Sequence, residues 1–354
     1  MANVPLKSAG NELKVFLHVT NQCNLRCVHC CVDSRQKLGN ELGAAEIGRF
    51  VDELARMGAT RINFTGGEPL MREDIFELIE YAAGKGMEVR LETNGSLLTK
   101  EKIARLKSAG LDLLTVSLDG SRRGTHDSFR GRAGLFDTVV REIRNAMAAG
   151  LDTTVSFCVS KHNIGEAMGM PELLAGVGVR KMSYLFFTPI GRGAINAALT
   201  IGNDKWLDFR RRIEIKRQQM KDRISIRYAL SILTPDEASG RLGKEMEWCT
   251  LVEPNTPTIA PNGDVYPCVL LMGNKQSCLG NIRDESFSKI WNPSRIAAIR
   301  EGGDRNERCL GCRHAPKCAP GCIALAASSA EGIDQRCDGK NVPVCPCTLH
   351  PQKW

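Results

Sequence analysis

The sequence predicts an α/β protein: a parallel sheet with covering helices, curled into a barrel or part-barrel, followed by a smaller cysteine-rich unit. Three observations predict it. Short β-rich apolar runs alternate with helical patterns through the first two-thirds of the 354-residue chain. The intervals leave room for a helix between successive strands, as parallel pairing requires. The 15 cysteines are uneven: four at 23–31, one at 158, and ten between 249 and 347.

Taken in order, strands are expected at 14–20, 61–65, 88–92, 113–118, 153–159 and 181–187. Each is rich in β-branched or bulky apolar residues. Helical periodicity covers 44–57, 72–85, 100–109, 136–149 and 164–176. Gly58, Gly86, Gly110 and Gly150 stand where left-handed helix caps are expected. These units make a partial (β/α)6 barrel, because right-handed crossovers curl such a sheet on itself. The charged stretch 203–223 reads as a helix that closes the barrel region. Beyond it, Pro261-Asn262-Gly263-Asp264 lies between two short β-rich runs. Asn-Gly suits a tight turn with positive φ, so a β-hairpin is expected there. The domain reading is a tail at 1–12, a barrel domain at 13–229 and a cysteine-rich domain at 230–354.

Bulk properties narrow the function. Net charge is +8, but Lys and Arg alternate with acids, as in 205–223. No basic and aromatic stripe suits single-stranded nucleic acid, so no nucleic-acid partner is expected, while an anionic substrate fits. No apolar run approaches the ~20 residues that span a bilayer. The start of the chain lacks the apolar core of a secretory signal. A cytoplasmic protein is expected, and in that reducing compartment many thiols point to metals or catalysis.

The first cysteine group is Cys23-Asn-Leu-Arg-Cys27-Val-His-Cys30. Three thiolates on one loop can hold three irons of a [4Fe–4S] cubane and leave the fourth open to a ligand. Zinc usually takes four ligands, and His29 or Cys31 could supply a fourth, so zinc stays open on this motif alone. The expected strand ends carry the companion motifs. They are Gly66-Gly67-Glu68-Pro69, Glu92-Thr93-Asn94-Gly95, and Ser117-Leu118-Asp119-Gly120 with His126 and Arg130 nearby. Each alone is compatible with a turn or helix cap. The second cysteine group comprises Cys249, Cys268, Cys309, Cys312, Cys318, Cys322, Cys337, Cys345 and Cys347.

Together these segments resemble the radical S-adenosylmethionine (SAM) superfamily, in the branch with a C-terminal SPASM (twitch-type) extension. The resemblance covers about 14–345. It implies a SAM-binding [4Fe–4S] cluster on Cys23, Cys27 and Cys30. It implies SAM contacts from Gly66, Gly67, Glu68 and Pro69 to the methionine amine, a carboxylate there suiting an ammonium. Glu92 and Asn94 would lie near methionine and ribose, and Ser117 would face SAM. Arg141 is the first candidate for the SAM carboxylate and Arg130 the second. No catalytic acid or base is assigned.

By the same resemblance the C-terminal cysteines hold two auxiliary [4Fe–4S] clusters. Cys249, Cys268 and Cys322 would bind one. Cys309, Cys312, Cys318 and Cys345 would bind the other, with Cys337 and Cys347 as alternatives to Cys345. An extra cysteine present after the first in some relatives is missing from 250–256, so that cluster keeps an open iron or takes Cys278. Cys158 is expected as an inert buried thiol, and Met168, Met170, Phe186 and Phe187 as core.

The resemblance implies reductive SAM cleavage to a 5′-deoxyadenosyl radical and hydrogen abstraction from a substrate. An external donor such as a flavodoxin or ferredoxin would supply the electron. Ribosomally made peptides come first as substrates, for crosslinking, epimerisation or side-chain oxidation. With strand one beginning about a dozen residues in, a separate peptide-recognition protein would be needed, or direct binding to the barrel. Tetrapyrrole side chains of the heme d1 or alternative-heme type, or another anionic small molecule, come second. A cysteine-rich electron carrier or zinc module is the non-enzyme reading, and Gly66–Pro69 argues against it.

Overall fold

A computed structural model of the chain describes residues 12–228 and 255–302. Among the described residues ten strands form one sheet: seven parallel strands in chain order, continued beyond the first by three short strands from 258–281. The parallel series is β1 (Lys14–His18), β2 (Arg61–Thr65), β3 (Glu88–Thr93), β4 (Leu113–Ser117), β5 (Thr153–Val159), β6 (Lys181–Phe186) and β7 (Ser225–Tyr228). The connecting helices are α1 (Ala44–Arg56), α2 (Ile75–Gly84), α3 (Lys100–Ser108), α4 (Arg123–Arg130), α5 (Leu135–Ala148), α6 (Ile164–Ala167), α7 (Met170–Val177) and α8 (Asn203–Met220).

Apolar periodicity makes the helices. Ile47, Phe50, Val51 and Leu54 put one buried stripe on α1, and Val139, Val140, Ile143 and Ala146 do so on α5. Thr99 caps α3, its hydroxyl accepting from Lys102 N at 3.2 Å. The four cap glycines all have positive φ, from 70° to 86°. The stripes pack with Val89, Leu91, Leu114, Val116, Val155 and Phe157 in one continuous core.

Only that helix-covered face of the sheet is apolar. Arg61, Glu88, Arg90, Glu92, Thr115, Ser117, Ser156, Cys158 and Ser183 point the other way and are partly exposed. Parallel sheets usually read as unbroken apolar strands because both faces are covered. The alternation here leaves a polar face beneath the strand ends.

Three expectations are revised. A seventh strand, β7, follows α8 and pairs in parallel with β6, matching Lys181 to Ser225. Only four residues long and half exposed, it carries a weak periodic signal. The helix expected over 164–176 is two, broken at Met168 and Gly169 just before Pro171, whose nitrogen has no hydrogen to donate. Helix α4 has no counterpart among the expected helices.

The hairpin forms as expected. Strands β8 (Thr258–Ile259) and β9 (Asp264–Tyr266) are antiparallel, and β10 (Gly280–Asn281) extends them. Gly263 has φ 93° at the turn. Short helices α9 (Phe287–Ile290) and α10 (Pro293–Gly302) follow. Strand β8 pairs in parallel with β1, so the sheet runs on from the barrel strands into the hairpin. The boundary expected at 230 lies outside the described residues. No described helix is long and apolar enough to cross a membrane.

Candidate metal and cofactor site

Beyond β1 the chain enters the cysteine loop. Its base is closed by Cys23 N donating to Arg35 O at 3.1 Å and Arg35 N to Asn21 O at 3.0 Å. Inside, Cys30 N reaches Cys27 O at 3.4 Å, and Val28 N reaches Phe129 O on α4 at 3.1 Å. Cys27 is buried; Cys23 and Cys30 are half-buried. Asn94 Nδ2 lies 3.9 Å from Cys23 Sγ, and Arg130 Nη1 lies 4.0 Å from Cys27 Sγ. Burial pushes the Cys27 thiol up to about 11 and raises Cys23. Such thiols become thiolates when a metal takes the place of the proton.

Gly66 and Gly67 bring the loop after β2 flat against this one. Gly67 N donates to Thr20 O and Glu68 N to Gln22 O, both at 2.8 Å. A Cβ on Gly67 would stand 2.1 Å from Gln22 O, so only glycine fits. The Glu68 side chain is engaged within the protein. It is fully buried and accepts from Thr93 Oγ1 at 2.7 Å, Asn94 N at 2.8 Å and Leu70 N at 3.1 Å. Its carboxylate ties the β2 loop to the β3 loop. Burial raises its pKa against those three donors.

Asn94 meets the cysteine loop as well, donating to Asn24 Oδ1 at 3.0 Å. Glu92 sits on the polar face of β3; burial raises its carboxyl, opposed by Thr65. Ser117 ends β4 on the same face, in register with Ser156. Pro69 opens a short 3-10 turn.

Behind Cys27 lies a buried ion pair. Arg130 Nε donates to Asp119 Oδ2 at 2.6 Å, and Nη2 stands at the same distance. Asp119 Oδ1 accepts from Cys158 N at 2.7 Å. His29 Nε2 is 3.4 Å from Asp119, and its ring stacks on Phe129 at 4.1 Å. Burial pushes the Asp119 carboxyl up, but the Arg130 guanidinium outweighs it and holds it below its usual value. Burial lowers His29 to about 3, so that ring is neutral. Two fork contacts on one carboxylate make a strong, directional pair.

The two arginine candidates separate. Arg141 lies on the exposed side of α5 and pairs with its neighbour Glu142 at 2.8 Å, away from the cysteines. Of the two, Arg130 is the one that reaches the cysteine loop. The apolar stripe of α5 faces the core and turns position 141 outward.

Cys268 directly follows the hairpin and is half-buried against the core. Cys278 Sγ lies 3.5 Å from Gly280 O. Cys249, Cys309, Cys312, Cys318, Cys322, Cys337, Cys345 and Cys347 lie outside the described residues. Cys158 is on the polar face of β5, its thiol raised by burial. Met170 is core and Phe187 is buried, with Met168 and Phe186 packed against the core. Sequence reasoning missed two parts of the site: the Asp119–Arg130 pair, and a segment after β6 that touches the cysteine loop.

A family model for the radical SAM superfamily matches residues 17–172. One for the SPASM iron–sulfur cluster-binding domain matches 249–313. An AdoMet-dependent heme synthase of Methanosarcina barkeri is 31% identical, across 87% of this chain and 90% of its own. The chain belongs to the radical SAM superfamily and carries a SPASM domain. Another relative is the mycofactocin maturase MftC of Mycolicibacterium smegmatis, 30% identical over 92% of this chain and 83% of its own. An Fe-coproporphyrin III synthase of M. barkeri is 29% identical over 86% and 79%. Among solved structures, Streptococcus suis SuiB bound to SAM has a TM-score of 0.74 at 16% identity, covering 92% of this chain and 77% of that one.

The donor set fits the cofactors of a radical SAM enzyme. Thiols with N–H donors aimed at sulfur suit cluster ligation, and a glycine loop pressed on the cysteine loop leaves no side chain in the way. When bound, cluster and SAM supply a reductively generated carbon radical that abstracts hydrogen. This chain's own residues set the loop, hold its counter-charge at Arg130, and line the face below with polar groups.

Proposed function

We propose that this radical SAM enzyme abstracts hydrogen from a carboxylate-bearing substrate held against the polar face of the sheet, and that the substrate is a tetrapyrrole with propionate side chains. The likeness to the AdoMet-dependent heme synthase of Methanosarcina barkeri, 31% identical over 90% of its length, carries the choice of substrate. Arg61 Nε and Arg90 Nε both donate to the single carboxylate of Glu88, each at 2.7 Å. With Glu92 on the same face, two arginines meet two carboxylates there, so these guanidiniums offer an incoming carboxylate a fork to share and no net charge. The heme synthase and Fe-coproporphyrin III synthase relatives support the same class. Cys23, Cys27 and Cys30 hold the SAM-binding cluster, with the backbone of Gly66–Pro69, together with Asn94 and Ser117, on the SAM side.

Peptide maturation is the second reading, favoured by the mycofactocin maturases. Its substrate would reach the same face, alone or with a recognition protein. The test is anaerobic reconstitution, then 5′-deoxyadenosine measured with dithionite and SAM, with and without Fe-coproporphyrin III. A several-fold stimulation with loss of substrate mass supports the tetrapyrrole. Cleavage that Fe-coproporphyrin III leaves unchanged overturns it. No 5′-deoxyadenosine at all, with zinc bound in place of iron and sulfide, overturns the radical reading.

A further inference from the structure

We propose that residues 191–196, just after β6, clamp the cysteine loop in the shape its cluster needs, with Arg192 as the positioning residue. The inference rests on the reading that Cys23, Cys27 and Cys30 hold a cluster.

The cysteine loop lacks regular secondary structure, so its carbonyls need partners from elsewhere. This one segment supplies four. Arg192 Nη1 donates to Cys27 O at 3.1 Å and Nη2 to Ser34 O at 2.7 Å. Gly193 N donates to Cys30 O at 3.3 Å, and Asn196 Nδ2 to Val28 O at 3.0 Å. Two of those carbonyls belong to cysteines of the cluster motif. Arg192 also pairs with Asp33 at 2.8 Å, and its side chain is only 9% exposed. Asp33 has φ 48°, a left-handed conformation uncommon outside glycine. The ion pair therefore pins the one bend in the loop that its own backbone does not favour.

Gly191 makes the approach possible. It too is left-handed, with φ 59°, and a Cβ there would stand 2.4 Å from Cys31 O and 2.9 Å from Cys30 O. Two chain segments more than 150 residues apart thus meet backbone to backbone. Arginine suits the task because its planar fork spans two carbonyls and a carboxylate at once, which a lysine cannot. Holding ligands in place before a metal arrives lowers the ordering cost of binding it. The outward side of the same segment carries Ile195, which is 84% exposed and belongs to no contact of the clamp.

The test uses the full chain reconstituted anaerobically as wild type, Arg192→Ala, Arg192→Lys, Asn196→Ala and Ile195→Ala. Iron and sulfide are counted, and the reduced cluster is read by EPR with and without SAM. Three clusters give about twelve irons per chain. Arg192→Ala should lose about four of them together with the SAM-dependent change in the EPR signal, leaving the auxiliary signals. Arg192→Lys should rescue only part, and Ile195→Ala should match wild type. If Arg192→Ala is misfolded by circular dichroism, Asn196→Ala decides, by a partial loss of the same signal. Wild-type iron and EPR in the variant that decides would overturn the clamp, as would an equal loss in Ile195→Ala. A wild type that binds iron at the loop without responding to SAM would instead overturn the function proposed above.

Discussion

On strand β3, Val89 and Leu91 are sealed in the core under the helices, whereas Glu88, Arg90 and Glu92, one residue away each, line the opposite face. The same contrast runs across the sheet to β6. One face is apolar and closed, and its side chains hold the fold. The other is polar and partly open, and at its upper rim stand the loops that carry the cysteines, Gly66–Pro69 and Asn94. The difference teaches where a change should act. Substitutions on the closed face should cost stability and spare chemistry per folded molecule; those on the open face should do the reverse.

The largest effect expected is at the rim. Cys27→Ala should abolish 5′-deoxyadenosine formation and remove about four irons per chain, with the fold retained by circular dichroism. Next is the pair behind it. Asp119→Ala leaves Arg130 buried without its counter-charge and should lower unfolding free energy by about 3–5 kcal/mol. That site also has a pH signature. Asp119 is held below its usual value, so its contribution is present at neutral pH and is lost as pH falls through its folded value. Asp119→Asn should flatten the acid limb of the stability curve, and an unchanged limb would show the pair contributes nothing.

On the closed face, Leu91→Ala should cost about 2–5 kcal/mol in chemical denaturation, while activity per folded molecule stays within about twofold. A large loss of turnover without loss of stability would break the contrast between faces. The smallest effect is on the open face. Arg90→Ala should change stability by no more than ~1 kcal/mol and raise KM for a carboxylate substrate roughly tenfold, with kcat little changed. A fall in kcat alone would move Arg90 out of substrate binding.

How much of this was legible in sequence varies with the range of the interaction. The helix stripes, the cap glycines and the Asn262-Gly263 turn depend on neighbours a few residues away, and pattern reading located them. Strand β7 is too short and exposed to show a period. Helix α4 begins at a polar stretch with no cap of its own. It is capped by Glu166, whose carboxylate accepts from Ser121 N at 2.7 Å and Arg122 N at 3.1 Å. A cap lent from more than forty residues away leaves no local trace.

By itself, then, the sequence determined the α/β order, the hairpin and the three thiols with the chemistry their spacing implies, because each follows from local periodicity or from ligand geometry on one loop. Tertiary structure alone decided that Glu68 turns inward, that Arg130 and not Arg141 reaches the cysteines, and that the residues after β6 grip the loop. In those cases the partners lie far apart in the chain. Burial and hydrogen-bond satisfaction, which appear only once the strands are side by side, choose among candidates that look alike in sequence.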